Sequence, residues 1–228
     1  MTRRFVLDGV DRRTAAIFIT ALVCLWAGQF SKDLVPEHWT RLSEMCFWSA
    51  SQIVFFGVVP LVVLRCFGIG AGDLGWRWRG SSSHWRIYAA LFAVAVPFVV
   101  IASTSAEFQD RYPLYEIATG QQGVARDLAI WWAFYFVQFV AIETFFRGVL
   151  AIGLSERFGE ASVLIAAVPY LAIHFVKPAP EALASIIGGV VMGTLAVRTR
   201  SIWWGVALHV AVAVLMDVMS LGHKGFVW

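Results

Sequence analysis

Residues 130–150, IWWAFYFVQFVAIETFFRGVL, form an apolar run long enough to cross a bilayer, yet they carry Glu143 and Arg147. About 20 apolar residues of helix span the hydrocarbon core, so the run reads as a transmembrane helix. At i,i+4 spacing the carboxylate and the guanidinium lie one above the other on a single helix face. An ionisable pair at membrane depth costs several kcal/mol to bury and is a functional hypothesis by default.

The remaining sequence continues the same composition. The 228 residues are 59% hydrophobic and 14% charged, with a mean hydropathy of +0.72, well outside soluble usage. The chain therefore reads as an integral membrane protein, an all-α polytopic transmembrane helix bundle in contact with lipid. Apolar runs predict about seven spans, near 14–30, 45–67, 87–103, 128–154, 161–175, 181–197 and 202–219. The polar stretch 105–126 is expected to lie on the membrane surface or dip into it; a full span hidden there makes the count eight. The chain divides into N-terminal helices and loops (1–126), a helix core carrying the site (127–219) and a short tail (220–228).

Local signals fix the ends of several spans. Asp127 is expected to cap the fourth span, while Pro178 and Pro180 open the sixth, where a helix start tolerates proline. Gly189 and Gly193 in the sixth span form a small-residue step that predicts close backbone packing against a neighbour. Trp76, Trp78 and Trp85 have the amphipathic character of an interfacial belt. Cys24, Cys46 and Cys66 are isolated, which fits buried structural thiols and neither a metal site nor a disulfide framework.

Of the eighteen basic residues, an N-terminus-inside arrangement puts twelve in inner segments, from Arg3 and Arg4 through Arg198 and Arg200, which favours a cytoplasmic N-terminus. The +3 net charge comes from these connecting segments and fits loops on anionic lipid. No basic face for nucleic acid is present.

Two later spans bring further polar residues to similar depth. With about 1.5 Å of rise per residue, His174 lies roughly 8 Å from the level of Glu143, and His209 roughly 5 Å. A carboxylate and an imidazole flanking a water can orient and deprotonate it, while a second imidazole donates to a developing oxyanion. Arg147 is expected to hold Glu143 in place. Ser185 has no base linked to it, so the hydrolytic reading uses water. Against this stand plainer readings: Glu143 and Arg147 as a structural ion pair, His209 as an interhelical hydrogen-bonder, and His174 as an interfacial side chain.

The stretches ETFFRG (143–148), YLAIH (170–174) and ALHVAVA (207–213) resemble, in order, the three motifs of the CAAX protease and bacteriocin-processing enzyme (CPBP, or Abi) family of glutamic intramembrane proteases. The family's motifs are usually written EExxxR, FxxxH and HxxxN. The resemblance implies an intramembrane endopeptidase of the bacterial inner membrane, acting on a membrane-anchored or membrane-associated peptide or protein without a cofactor. It gives Glu143, Arg147, His174 and His209 as site residues, with Tyr170 at the aromatic position of the second motif. Two positions depart from the pattern. Ile142 stands where the family's first, catalytic glutamate does, and Ala213 where the polar partner of the last histidine does. Glu143 is expected to take over the acid-base role, and Asp217, two turns beyond His209, to replace the missing partner. Two alternatives remain: a catalytically inactive relative acting as a membrane binding or immunity protein, and metal-dependent hydrolysis with Glu143, His174 and His209 as ligands.

Overall fold

In the computed structural model, residues 9–78, 82–117 and 121–225 are described. The fold is an all-α polytopic bundle. Helix α1 spans Arg12–Phe30 and is extended by a 3₁₀ turn, Ser31–Leu34. It is followed by α2 (Arg41–Cys66), α3 (Trp85–Ala102), the short α4 (Ala106–Arg111) and α5 (Val124–Phe158). Helices α6 (Ala161–Ala172), α7 (Ala179–Thr199) and α8 (Trp203–His223) complete the chain.

Among the described residues, six of these helices are long and apolar enough to cross a membrane. The remaining expected span is α6, with 12 residues. At about 1.5 Å per residue it covers roughly 18 Å of a hydrocarbon core about 30 Å thick. Pro169 interrupts its hydrogen-bond ladder, and the chain turns from His174 to Lys177 before reaching α7, so His174 lies in a turn. Among the described residues of 105–126 there is no eighth span: they hold α4, then buried Tyr112, Leu114 and Tyr115, and the first residues of α5.

Helix α5 is the axis of the bundle. Every residue from Ala141 to Leu154 is buried, the pattern of a helix enclosed on all sides. In its most apolar window 89% is buried inside the protein, against 11% for α3, which therefore lies at the periphery. The α5 helix begins at Val124 with Gly123 as N-cap, not at Asp127. Gly123 is preferred because the cap adopts φ +72°, a conformation that suits glycine. Asp127 is instead buried in the first turn, paired with Arg126 at 2.9 Å and accepting from Gln121 at 3.0 Å.

From Thr144 to Ile152 α5 winds as a π-helix, a rare geometry that favours functional sites. Close approaches support this wider stretch. A Cβ on Gly148 would meet Leu74 O at 2.6 Å, and one on Gly57 would meet Ala141 Cβ at 3.2 Å. Phe56 of α2 packs on Phe145 and Phe146 with ring centroids 4.8 and 5.8 Å away. Because a backbone carbonyl cannot rotate aside, Gly148→Ala is expected to destabilise the protein by about 1–3 kcal/mol, the usual cost of overpacking. Chemical unfolding in detergent measures this.

The small-residue step on α7 packs as its sequence predicts. Cβ atoms at Gly189 and Gly193 would stand 3.1 Å from Tyr170 and 2.9 Å from Val163 of α6. Trp78 and Trp85 are exposed as an interfacial belt requires, but Trp76 turns inward and donates from Nε1 to Thr144 Oγ1 at 3.0 Å. Cys24 is buried, whereas Cys66 is exposed.

The segment after α4 is strapped to the ends of α7 and α8. Burial first, then the Glu181 carboxylate, push the Tyr112 hydroxyl well above the usual tyrosine range. It therefore stays protonated, donating to Glu181 at 2.8 Å and accepting from Lys177 at 2.7 Å. Its backbone carbonyl accepts from Ser220 and from Lys224.

Candidate active site

Glu143 is the last α-helical residue of α5 before the π-helical stretch and is fully buried. Its two oxygens face different partners. Oε1 lies 3.0 Å from Nδ1 of His209 on α8, and Oε2 lies 3.4 Å from Nε of Arg147. The second contact is ionic without hydrogen-bond alignment, and neither Oε2 nor Arg147 Nη1 has a hydrogen-bond partner. Arg147 spreads its guanidinium over the Tyr170 ring, with Cζ 4.0 Å from the centroid, and sets Nη2 3.8 Å from Met192 Sδ. A buried cation over an aromatic face gains electrostatic attraction from the ring quadrupole.

A further source of positive potential adds to the arginine and to the hydrogen bond from His209. A Cβ on Gly205 would stand 2.7 Å from Glu143 Oε2, and Gly205 lies in the first turn of α8, a helix of 21 residues. Helix N-termini favour negative charge through unpaired N–H groups and the macrodipole. The carboxylate thus rests where three features together offset the cost of its burial.

The two histidines both approach Tyr170. His174 packs on its ring at 4.6 Å, and the His209 ring lies 6.5 Å away, edge to face. His174 Nδ1 is 2.7 Å from the Tyr170 carbonyl oxygen. A carbonyl only accepts, so the partner assigns the proton to Nδ1 and leaves the lone pair on Nε2. Phe139 covers His209 at 4.4 Å, and Tyr170 is itself held edge-on by Phe146 at 5.1 Å. Both histidines are half-buried.

The structure joins Glu143 directly to Arg147 and His209, and joins His174 to the group through Tyr170. Asp217 is engaged elsewhere: it is buried and accepts from Trp132 Nε1 at 2.9 Å and from Leu114 N at 3.4 Å. Ile142 and Ala213 are both buried in the apolar core. Among the described residues, no three His, Cys, Asp or Glu side chains gather as a metal-binding group. Gly205 was not among the residues the motifs single out. Its one legible signal is its place four residues before His209, on the same helix face.

Residues 124–215 match a family model described as type II CAAX prenyl endopeptidase Rce1-like. No curated protein and no solved structure matches the chain. The matched segment opens at the first residue of α5 and contains Glu143, Arg147, Tyr170, His174, Gly205 and His209, while Asp217 lies beyond it. Over this segment the chain, an integral membrane protein, is similar to the Rce1-like type II CAAX prenyl endopeptidases.

Proposed function

We propose that the protein is an intramembrane endopeptidase that hydrolyses a peptide bond of a membrane-anchored or membrane-associated substrate with activated water. The observation that carries this reading is the Glu143–His209 hydrogen bond of 3.0 Å, buried beside a second imidazole whose Nε2 is free to act as a base. His174 Nε2 takes a proton from water as its oxygen attacks the scissile carbonyl carbon. His209, its Nδ1 proton held by Glu143, carries a second proton on Nε2 and donates it as a hydrogen bond to the forming oxyanion; the carboxylate balances the imidazolium charge. His174 then passes its proton to the departing amide nitrogen as the C–N bond breaks. Arg147 fixes the carboxylate and keeps it from rotating away from His209. The basic residues of the inner segments favour an orientation with the N-terminus in the cytoplasm.

A second reading rests on Ile142 and Ala213, whose apolar side chains stand in the core where the family pattern has polar ones. In that reading the fold is kept as a catalytically inactive membrane binding or immunity protein. The two diverge in one assay. The purified chain is reconstituted in vesicles with a library of acyl-anchored peptides, and cleavage products are read by mass spectrometry. His174→Ala and His209→Ala are each expected to lower cleavage by at least about 100-fold, the range of positioned acid-base groups, with membrane insertion retained. Wild-type cleavage is expected to survive exhaustive chelation. Wild-type rates in both alanine variants overturn the peptidase mechanism.

A further inference from the structure

We propose that Gly205 is a positioning residue for Glu143: its bare Cα is the floor on which the carboxylate rests while Oε1 bonds His209. The inference rests on the peptidase reading for its consequence in turnover, but its geometry stands independently. A Cβ at this position would lie 2.7 Å from Glu143 Oε2, closer than real Cβ atoms approach other atoms, and 3.5 Å from its carboxyl carbon, an ordinary contact. Gly205 and His209 are i and i+4 on α8 and therefore present one face. That face holds the carboxylate at two points, by the missing side chain at Oε2 and by Nδ1 at Oε1.

The carboxylate is closely surrounded. Glu143 is fully buried, Arg147 Nε stands 3.4 Å from Oε2, and Met192 Cε lies 3.4 Å from the same Cβ position. An alanine at 205 meets the end of a flexible side chain and no backbone atom, so the fold can absorb it by moving Glu143. The group that moves is the one that orients His209. Alanine is also the better helix former, so stability and activity are expected to respond in opposite directions.

The test compares Gly205→Ala with Gly188→Ala, a glycine of α7 whose added Cβ meets nothing within 4 Å. Gly205→Ala is expected to lower kcat about 100-fold with KM within about twofold, the penalty for ångström-scale misplacement, and with no loss in Tm. Gly188→Ala is expected to match wild type. Shortening the carboxylate restores space, so the losses in Glu143→Asp and Gly205→Ala are expected to combine as less than their product in the double variant. A second readout needs no turnover. In ¹⁵N-histidine NMR the hydrogen-bonded Nδ1 signal of His209 is expected in wild type and Gly188→Ala and lost in Gly205→Ala. That pattern without cleavage by wild type removes the peptidase reading and supports the positioning role. Unchanged kcat together with an unchanged His209 signal in Gly205→Ala overturns the proposal, as does independent multiplication of the two losses.

Discussion

Replacing Arg147 by alanine is expected to destabilise the protein by about 3–5 kcal/mol, the cost of leaving one member of a buried ion pair uncompensated. Arg147 is 2% exposed and Glu143 fully buried, with Nε and Oε2 3.4 Å apart. Without the guanidinium, the carboxylate keeps only His209 and the first turn of α8. The same truncation removes the cation from the Tyr170 face and opens a cavity in the part of α5 that is enclosed on all sides. Arg147→Lys is expected to recover part of the loss, since an ammonium restores charge but not the planar fork. Denaturant titration in detergent, followed by tryptophan fluorescence, measures both.

Glu143→Gln is expected to lower cleavage by about 10²–10³-fold, comparable to loss of an oxyanion donor. The amide oxygen can still accept from His209 Nδ1, so the ring keeps its orientation. It no longer balances an imidazolium, and the amide nitrogen now faces Arg147. The substitution also leaves a buried guanidinium unpaired, so some loss of stability accompanies it. Initial rates must therefore be measured on protein shown to be folded by circular dichroism and size exclusion.

Much of this architecture was legible in the residues. The charge pair in an apolar run marked α5 as the centre, and the axis of the bundle is that helix. Of the two histidines, His209 reaches it through Glu143 while His174 touches only Tyr170, and Gly189 and Gly193 do bring α7 onto α6. What stayed hidden follows from physics that local pattern does not carry. Helix α6 reads as a full span because hydropathy averages over Pro169; the structure stops it short and leaves His174 in a turn. The π-helical winding from Thr144 was not legible from burial periodicity, because the stretch is buried on every side. Trp76 looked interfacial by residue type, yet tertiary packing gives its N–H to Thr144. Asp217 sits two turns past His209 in sequence, but its oxygens accept from Leu114 of the strap after α4 and from Trp132, not from His209. Gly205 is the clearest case. A glycine announces that something approaches closely, but only the fold shows that the visitor is the Glu143 carboxylate.

The central claim is that the buried pair serves turnover and not only the fold, and one variant separates these roles. In Glu143→Gln/Arg147→Met both charges are gone, and a neutral pair of similar volume often restores stability lost in the single variants. Initial rates of acyl-anchored peptide cleavage are to be compared between this double variant and wild type in the same vesicles. Wild type is expected to cleave, and the double variant to show stability near wild type and no detectable product. Cleavage by the double variant at the wild-type rate, or no cleavage by wild type, would contradict the claim.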